Sequence, residues 1–273
     1  MCGHCGCNTS KVQASTETAL PRVLALHQNV MDQNNSHAER NRAAFSHLLA
    51  INLLSSPGAG KTTLVTRLLN DRDLLAGADP LKRHTDRVRA GVVVGDLATE
   101  RDAERIRQTG VPAVQITTGT LCHLEADGVY QAARQLDLEA LNLLIIENVG
   151  NLVCPAIYDL GEDLRIVMMS VTEGEDKPLK YPAMFKSAHA VIISKIDLAP
   201  YVDFDREAAL RYLHLIAPQA LIFELSATTG QGLASLYAYL SQAIFQCQPD
   251  LAEAKGKAPS QTALHSTGGR NHV

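Results

Sequence analysis

Tryptophan is absent from the 273 residues, and aromatic residues make up only 4% of them. So few rings leave no stacking platform for nucleic-acid bases. Nor is there an excess of positive charge. Charged residues account for 20% of the chain and the net charge is -4, which excludes a basic nucleic-acid-binding face. No apolar run approaches the roughly 20 residues needed to span a bilayer. The N-terminus carries no apolar signal core either, so the expected location is the cytoplasm. Hydrophobic residues nonetheless reach 46%, enough for the sizeable core of one α/β domain with extensions.

Cysteine is also sparse, but it is concentrated. Three of the six cysteines, Cys2, Cys5 and Cys7, fall in the first seven residues, and the others are Cys122, Cys154 and Cys247. In a reducing compartment, thiols this close read as a metal site rather than a disulfide framework. Gly3 and Gly6 allow so short a loop to fold around an ion, and His4 and the terminal amine are possible further ligands. Ni²⁺ and Zn²⁺ both suit soft thiolate donors, and spacing alone does not choose between them. The alternative is an oxidation-prone tail. Residues 8 to 47 are expected to form a helical linker, with one helix over Leu20 to Met31, a polar interruption from Asp32 to Ser36, and a second helix from His37 to Leu48.

The rest of the chain is organised around Leu49 to Thr63. Leu49 to Leu54 is a buried-strand pattern with a single polar break at Asn52. Pro57, Gly58, Ala59 and Gly60 then make a tight turn, and Lys61-Thr62-Thr63 opens an amphipathic helix. Strand, glycine-rich turn and helix in that order make a phosphate-binding loop, although Ser55 stands where the commonest pattern has glycine. Free N–H groups at the helix start point at an anion. Lys61 is expected to reach the β- and γ-phosphates, and the Thr62 hydroxyl to ligate Mg²⁺.

Apolar strands alternating with helices follow. The expected strands are centred on Val92 to Val94, Ala113 to Thr117, Leu141 to Ile146, Arg165 to Val171, Ala190 to Ser194 and Ala220 to Leu225. Helices are expected from a Thr99 cap onward, over Leu121 to Leu136, and over Gly232 to Phe245. The pattern predicts an α/β fold with a mainly parallel, doubly wound sheet. Such sheets bind ligands at the carboxyl ends of their strands, where Asp96, Glu147, Lys195, Asp197 and Ser226 fall. Asp96 and Glu147 are the acidic candidates beside Mg²⁺ and the γ-phosphate, and Gly150 is placed to contact that phosphate through its N–H. No residue stands out to position the attacking water, so slow hydrolysis is expected. The domain expected from this pattern is 48–246, followed by a disordered tail over 247–273.

Ser194-Lys195-Ile196-Asp197 resembles the Asn-Lys-x-Asp element of GTPases, in which the aspartate accepts from guanine and the lysine stem packs on the base. Ser226-Ala227-Thr228 resembles the second base-contacting loop. Cys122, His123 and Cys154 are candidates for a second metal site. Adjacent residues on a helix point about 100° apart, so one chain was not expected to close that site alone, and a two-fold dimer could pool ligands.

Taken together, the stretches Cys2 to Cys7, Ser56 to Thr63, Thr118 to Leu124, Ile146 to Pro155 and Ser170 to Pro182 resemble the HypB family of GTPases that serve nickel insertion into NiFe hydrogenases. The resemblance implies a P-loop NTPase fold of the SIMIBI class, GTP and Mg²⁺ as ligands, and GTP-dependent dimerisation. It implies a high-affinity nickel site at Cys2, Cys5 and Cys7 and a weaker nickel or zinc site at Cys122, His123 and Cys154. It also implies a HypA-type nickel chaperone and the hydrogenase large subunit as partners. Ser194 departs from the GTPase pattern, and residues 8 to 47 lack the histidine-rich nickel store of some members. A urease-type nickel GTPase and a metal-regulated switch with negligible turnover are the alternatives.

Overall fold

A computed structural model describes residues 19–75 and 88–247. In chain order the elements are α1 (Ala19–Ala44), β1 (Leu49–Ser55), α2 (Lys61–Asn70), α3 (Arg72–Leu75), β2 (Ala90–Asp96), α4 (Arg101–Arg107), β3 (Ala113–Thr117), α5 (Ala126–Ala133), β4 (Leu143–Glu147), β5 (Leu164–Ser170), α6 (Lys177–Lys180), α7 (Pro182–Lys186), β6 (Ala190–Ser194), α8 (Arg206–Ile216), β7 (Leu221–Leu225) and α9 (Leu233–Gln246). The strands form one sheet in the order β3-β2-β4-β1-β5-β6-β7, and every pairing is parallel. Among the described residues no helix is long and apolar enough to cross a membrane.

Alternation within β1 shows why the sheet is covered on both sides. Leu49, Ile51 and Leu53 pack with α2, α4 and α9 in one core. Ala50 belongs to a second core with α5, and Leu54 to a third with α7 and α8, both on the opposite face. Burial on both faces explains why the strands are nearly continuous aliphatic runs. Asn52 points to the same face as Ala50 and Leu54, between those two cores, and is fully buried. The strand order turns back at β1, which places a crevice outside the carboxyl ends of β1, β2 and β4.

Three sequence expectations differ from the structure. The polar run from Asp32 to Ser36 does not interrupt the first helix, because α1 continues through it. Asn34 spends its side chain on tertiary bonds, donating to the Asp159 carbonyl at 2.8 Å and accepting from the Ala126 N–H at 2.9 Å. Thr99 does not cap α4. Its hydroxyl binds Asp96 Oδ2 at 2.9 Å, and the helix begins at Arg101. The helix expected over Leu121 to Leu136 is confined to α5. Gly119 takes a left-handed turn (φ 62°) that sets Thr118 to Glu125 off as a loop. Cys2, Cys5, Cys7 and residues 248–273 lie outside the described residues, and so does most of the linker before Ala19. The helix α8, absent from the sequence expectations, starts at an Asp205 cap whose carboxylate accepts from the Ala208 N–H at 2.8 Å.

Candidate functional site

A crevice of about 450 Å³ opens at the carboxyl ends of the central strands. Its lining includes Gly58, Gly60, Lys61, Thr62, Thr63, Asp96, Glu147, Gly150 and Lys195, each of which the sequence had placed in the site. Ala59 lies beneath that loop, fully buried. The loop between β1 and α2 has the backbone an anion cradle requires. Gly58 (φ 78°) and Gly60 (φ 99°) turn left-handed, and Lys61 is the first residue of α2. Lys61 is 9% exposed, and its ammonium donates to Ser55 Oγ at 2.9 Å. Burial pulls its pKa down, opposed by the charges of Glu147, Asp102 and Glu173.

Glu147 is the buried acid of the site. Its Oε1 accepts from the Thr62 hydroxyl at 2.6 Å, while Oε2 is buried with no partner. Burial pushes its pKa up to about 7, against the opposing pull of Thr62 and Lys61. An orphaned carboxylate oxygen beside a threonine hydroxyl and a phosphate cradle is the donor set a hard divalent cation takes, so these residues fit Mg²⁺. Asp96 is further committed. Its carboxylate accepts from the Leu97 N–H at 2.6 Å and from Thr99, shaping the loop after β2. Asp102 and Arg105, one helical turn apart on α4, also line the crevice, and sequence reasoning missed both as site residues. The available signal was their position just beyond the end of β2.

The folded-state pKa of Glu147 has a measurable consequence. The ordinary carboxyl value is 4.5. Between that and about 7 the folded chain keeps a proton that the unfolded chain releases, so stability falls as pH rises through this window. The loss is on the order of 3 kcal/mol. Glu147→Gln is expected to remove that slope. Urea midpoints measured from pH 4.5 to 8 without nucleotide or Mg²⁺ should diverge with rising pH, the variant becoming the more stable. Parallel curves would contradict the assignment of the proton to Glu147.

At the other rim, Ser194 donates to the Ala59 carbonyl at 2.8 Å, with the Met169 carbonyl at 3.2 Å. Lys195, in a left-handed conformation (φ 59°), donates to the Gly58 carbonyl at 2.6 Å. The residue that departs from the GTPase pattern therefore ties the end of β6 to the phosphate-loop segment. Asp197 is the second residue of the short helical turn that follows, and no described residue forms a hydrogen bond or ion pair with its carboxylate. Ser226 is buried after β7 and accepts from the Thr229 N–H at 3.1 Å, which orders the loop containing Ala227.

The segment after β4 runs from this crevice to a second site. Gly150 approaches the phosphate loop so closely that a Cβ there would stand 3.0 Å from Pro57 Cα. Asn151 donates to the Cys122 carbonyl at 3.1 Å. Cys154 then meets Cys122, with their sulfurs 2.9 Å apart. With His123 they form a cluster whose ligand atoms all lie within 4.8 Å of one another. The three candidate ligands thus meet within one chain: Cys122 and His123 sit on a loop, so the helical spacing assumed for them does not apply. Both ring nitrogens of His123 are buried without hydrogen-bond partners, Nε2 standing 3.8 Å from a Glu125 carboxylate oxygen, and its ring stacks on Tyr158 at 3.9 Å between centroids. Burial lowers the His123 pKa, which favours the neutral, metal-binding imidazole. Two thiols and an unpartnered imidazole fit a soft or borderline divalent ion.

Residues 49–224 match the family described as CobW/HypB/UreG, nucleotide-binding domain. The hydrogenase maturation factor HypB of Escherichia coli strain K12 is 47% identical over 214 residues, covering 78% of this chain and 70% of that protein. The HypB of Azotobacter vinelandii is 46% identical over 223 residues, covering 81% and 70%. Among solved structures, HypB from Helicobacter pylori in complex with nickel aligns with a TM-score of 0.65 at 37% identity, over 86% of this chain and 100% of that one. HypB from Archaeoglobus fulgidus aligns with a TM-score of 0.68 at 37% identity, over 78% and 99%.

Proposed function

The chain belongs to the HypB family of hydrogenase maturation factors, and from that premise we propose that it is a nickel-binding GTPase whose hydrolysis of GTP supports nickel insertion into a NiFe hydrogenase. The observation that carries this reading is the single segment Glu147 to Cys154. It begins at the phosphate crevice and ends at the cysteine–histidine cluster.

The geometry supports the following roles, except those of Cys2, Cys5 and Cys7, which lie outside the described residues and rest on the family resemblance. The N–H groups of Gly58 to Thr63 and the Lys61 ammonium bind the triphosphate. Thr62 and Glu147 hold Mg²⁺, with Asp96 nearby, and that ion supplies charge neutralisation at the β- and γ-phosphates. Asp197 reads the guanine edge and the Lys195 stem lies against the base, with Ser226 and Ala227 on its far side. Gly150 contacts the γ-phosphate, so loss of that phosphate releases the segment. Cys122, His123 and Cys154 take nickel or zinc, and Cys2, Cys5 and Cys7 form a tighter nickel site. Slow hydrolysis belongs to this reading, since among the described residues lining the crevice none stands out to position the attacking water. A HypA-type chaperone, the hydrogenase large subunit, a GTP-dependent homodimer and a cytoplasmic location complete the reading.

Nickel titration of the full chain should reveal two classes of site. Cys2→Ser, Cys5→Ser and Cys7→Ser together should remove the tighter class, and adding Cys154→Ser should remove the weaker. In the triple variant, the weaker affinity should differ between GDP and a non-hydrolysable GTP analogue, with a typical coupling of roughly 5- to 150-fold. Steady-state phosphate release with GTP, exceeding that with ATP, completes the test. Equal nickel affinity in both nucleotide states would remove the link between hydrolysis and metal release. Absent phosphate release would leave only a metal-regulated switch.

A further inference from the structure

From the segment that joins the two sites, a chain of buried polar side chains runs into the core, starting at Asn148 on the crevice wall and continuing through residues that neither site uses. Asn148, immediately after Glu147, donates its amide to Asn52 Oδ1 at 3.2 Å. Asn52, in the middle of β1, donates to Glu162 Oε1 at 3.0 Å. Glu162 accepts at the same oxygen from Arg165, at 2.7 Å and 2.8 Å, and its Oε2 accepts from the Leu160 N–H at 2.8 Å. Arg165 then donates to the carbonyls of Ala156 (3.1 Å) and Tyr158 (2.8 Å). Those carbonyls belong to the turn that begins at Cys154 and carries the ring stacked on His123.

Three properties make this more than a set of satisfied polar groups. First, it is dry: Asn52 is 0% exposed, Asn148 2%, and the Glu162 and Arg165 side chains 4% and 10%. Second, its donor order is fixed. Glu162 can only accept and Arg165 can only donate, so Asn52 must present its amide to Glu162 and its oxygen to Asn148. The Asn148 oxygen in turn accepts from the Val149 N–H at 2.9 Å. Reversing any one amide would set donor against donor. Third, no member can let go cheaply, since a buried charge or amide left unpaired is strongly disfavoured. A displacement of Asn148 is therefore accommodated by shifting the neighbours rather than by breaking one bond.

We propose that Asn52, Glu162 and Arg165 are positioning residues, a buried relay that carries the nucleotide-dependent setting of the Glu147–Gly150 segment to the Ala156–Tyr158 backbone and so to the Cys122–His123–Cys154 cluster. The relay runs in parallel with the Asn151 to Cys122 contact and reaches the cluster through the Ala156 and Tyr158 carbonyls. It rests on the nickel-dependent GTPase reading and adds to it the residues through which the two sites communicate.

The test uses the full chain carrying Cys2→Ser, Cys5→Ser and Cys7→Ser, titrated with Ni²⁺ in the presence of GDP and of a non-hydrolysable GTP analogue. This background should show at least about a fivefold difference in Ni²⁺ affinity between the two states. Adding Asn52→Leu, which keeps the volume of the side chain but has no amide, should bring that ratio towards one while leaving the affinities for GDP and for the analogue, measured without Ni²⁺, unchanged. A background ratio of one means the proposed function itself has failed, and the relay with it. A normal background ratio that survives Asn52→Leu overturns the relay alone. A second measurement needs no substitution in the relay. Hydrogen exchange of the Leu160 amide, which reports on Glu162 from outside the 147–154 segment, should change protection between the two nucleotide states. Unchanged protection at Leu160 overturns the relay even where Asn52→Leu does not fold.

Discussion

Lys61→Ala is expected to lower GTP turnover at least about 100-fold, the scale on which loss of one preorganised donor to transition-state charge is felt. The ammonium is 9% exposed, and its one hydrogen-bond partner is the neutral Ser55 hydroxyl. Among the described residues no carboxylate forms an ion pair with it. A buried cation without a direct counter-charge is poised for an anionic ligand, because the phosphates would supply what the protein withholds. The same fact sets the sign of the stability change. Removing the ammonium relieves a desolvation cost, so the melting temperature without nucleotide should not fall, while the rise on adding GTP should shrink. Phosphate release and thermal shifts on the one variant separate these effects. Wild-type turnover in a folded Lys61→Ala protein would remove Lys61 from the active site.

Asp197→Asn is expected to weaken GTP binding by at least about 100-fold, since two hydrogen bonds to a charged acceptor contribute roughly 1.5–3 kcal/mol each. The carboxylate has no described protein partner, and the Lys195 backbone turns left-handed just before it. Guanine offers a pair of donors to such a carboxylate. An asparagine presents one acceptor and one donor, and should favour xanthosine triphosphate, whose base exchanges a donor for an acceptor. Turnover at saturating xanthosine triphosphate should stay near the wild-type GTP value, because the phosphate machinery is untouched. Equal preference in wild type and variant would show that Asp197 does not face the base.

Much of the sheet could be anticipated from the sequence because a strand buried on both faces must be aliphatic nearly throughout. Val92 to Val94 and Ala190 to Ser194 have no other comfortable state. The phosphate loop was equally visible, since Gly58, Gly60 and Lys61 fall within four consecutive residues and their spacing is the signal. Helix limits were not, because tertiary bonds decided them. Asn34 looked like a breaker and is an anchor, and Gly119 ends a helix-like pattern by turning left-handed. The closeness of Cys122, His123 and Cys154 was hidden for the same reason: it depends on a loop conformation and on where the segment after β4 travels. Asn52 stood out as a polar break, but its partner Glu162 is 110 residues away, and no local pattern connects them.

Lys195 is the one non-glycine residue among those described whose backbone is left-handed. For an L-residue that conformation costs roughly 1–2 kcal/mol, and glycine would adopt it almost freely. Any campaign that ranks variants of this chain by heat resistance will therefore be drawn to Lys195→Gly. It would also discard the ammonium that holds the Gly58 carbonyl at 2.6 Å and the stem that the proposed function sets against the base. Thermal tolerance and ligand capture pull this position in opposite directions, so melting temperature is a misleading guide to improving the protein at this residue.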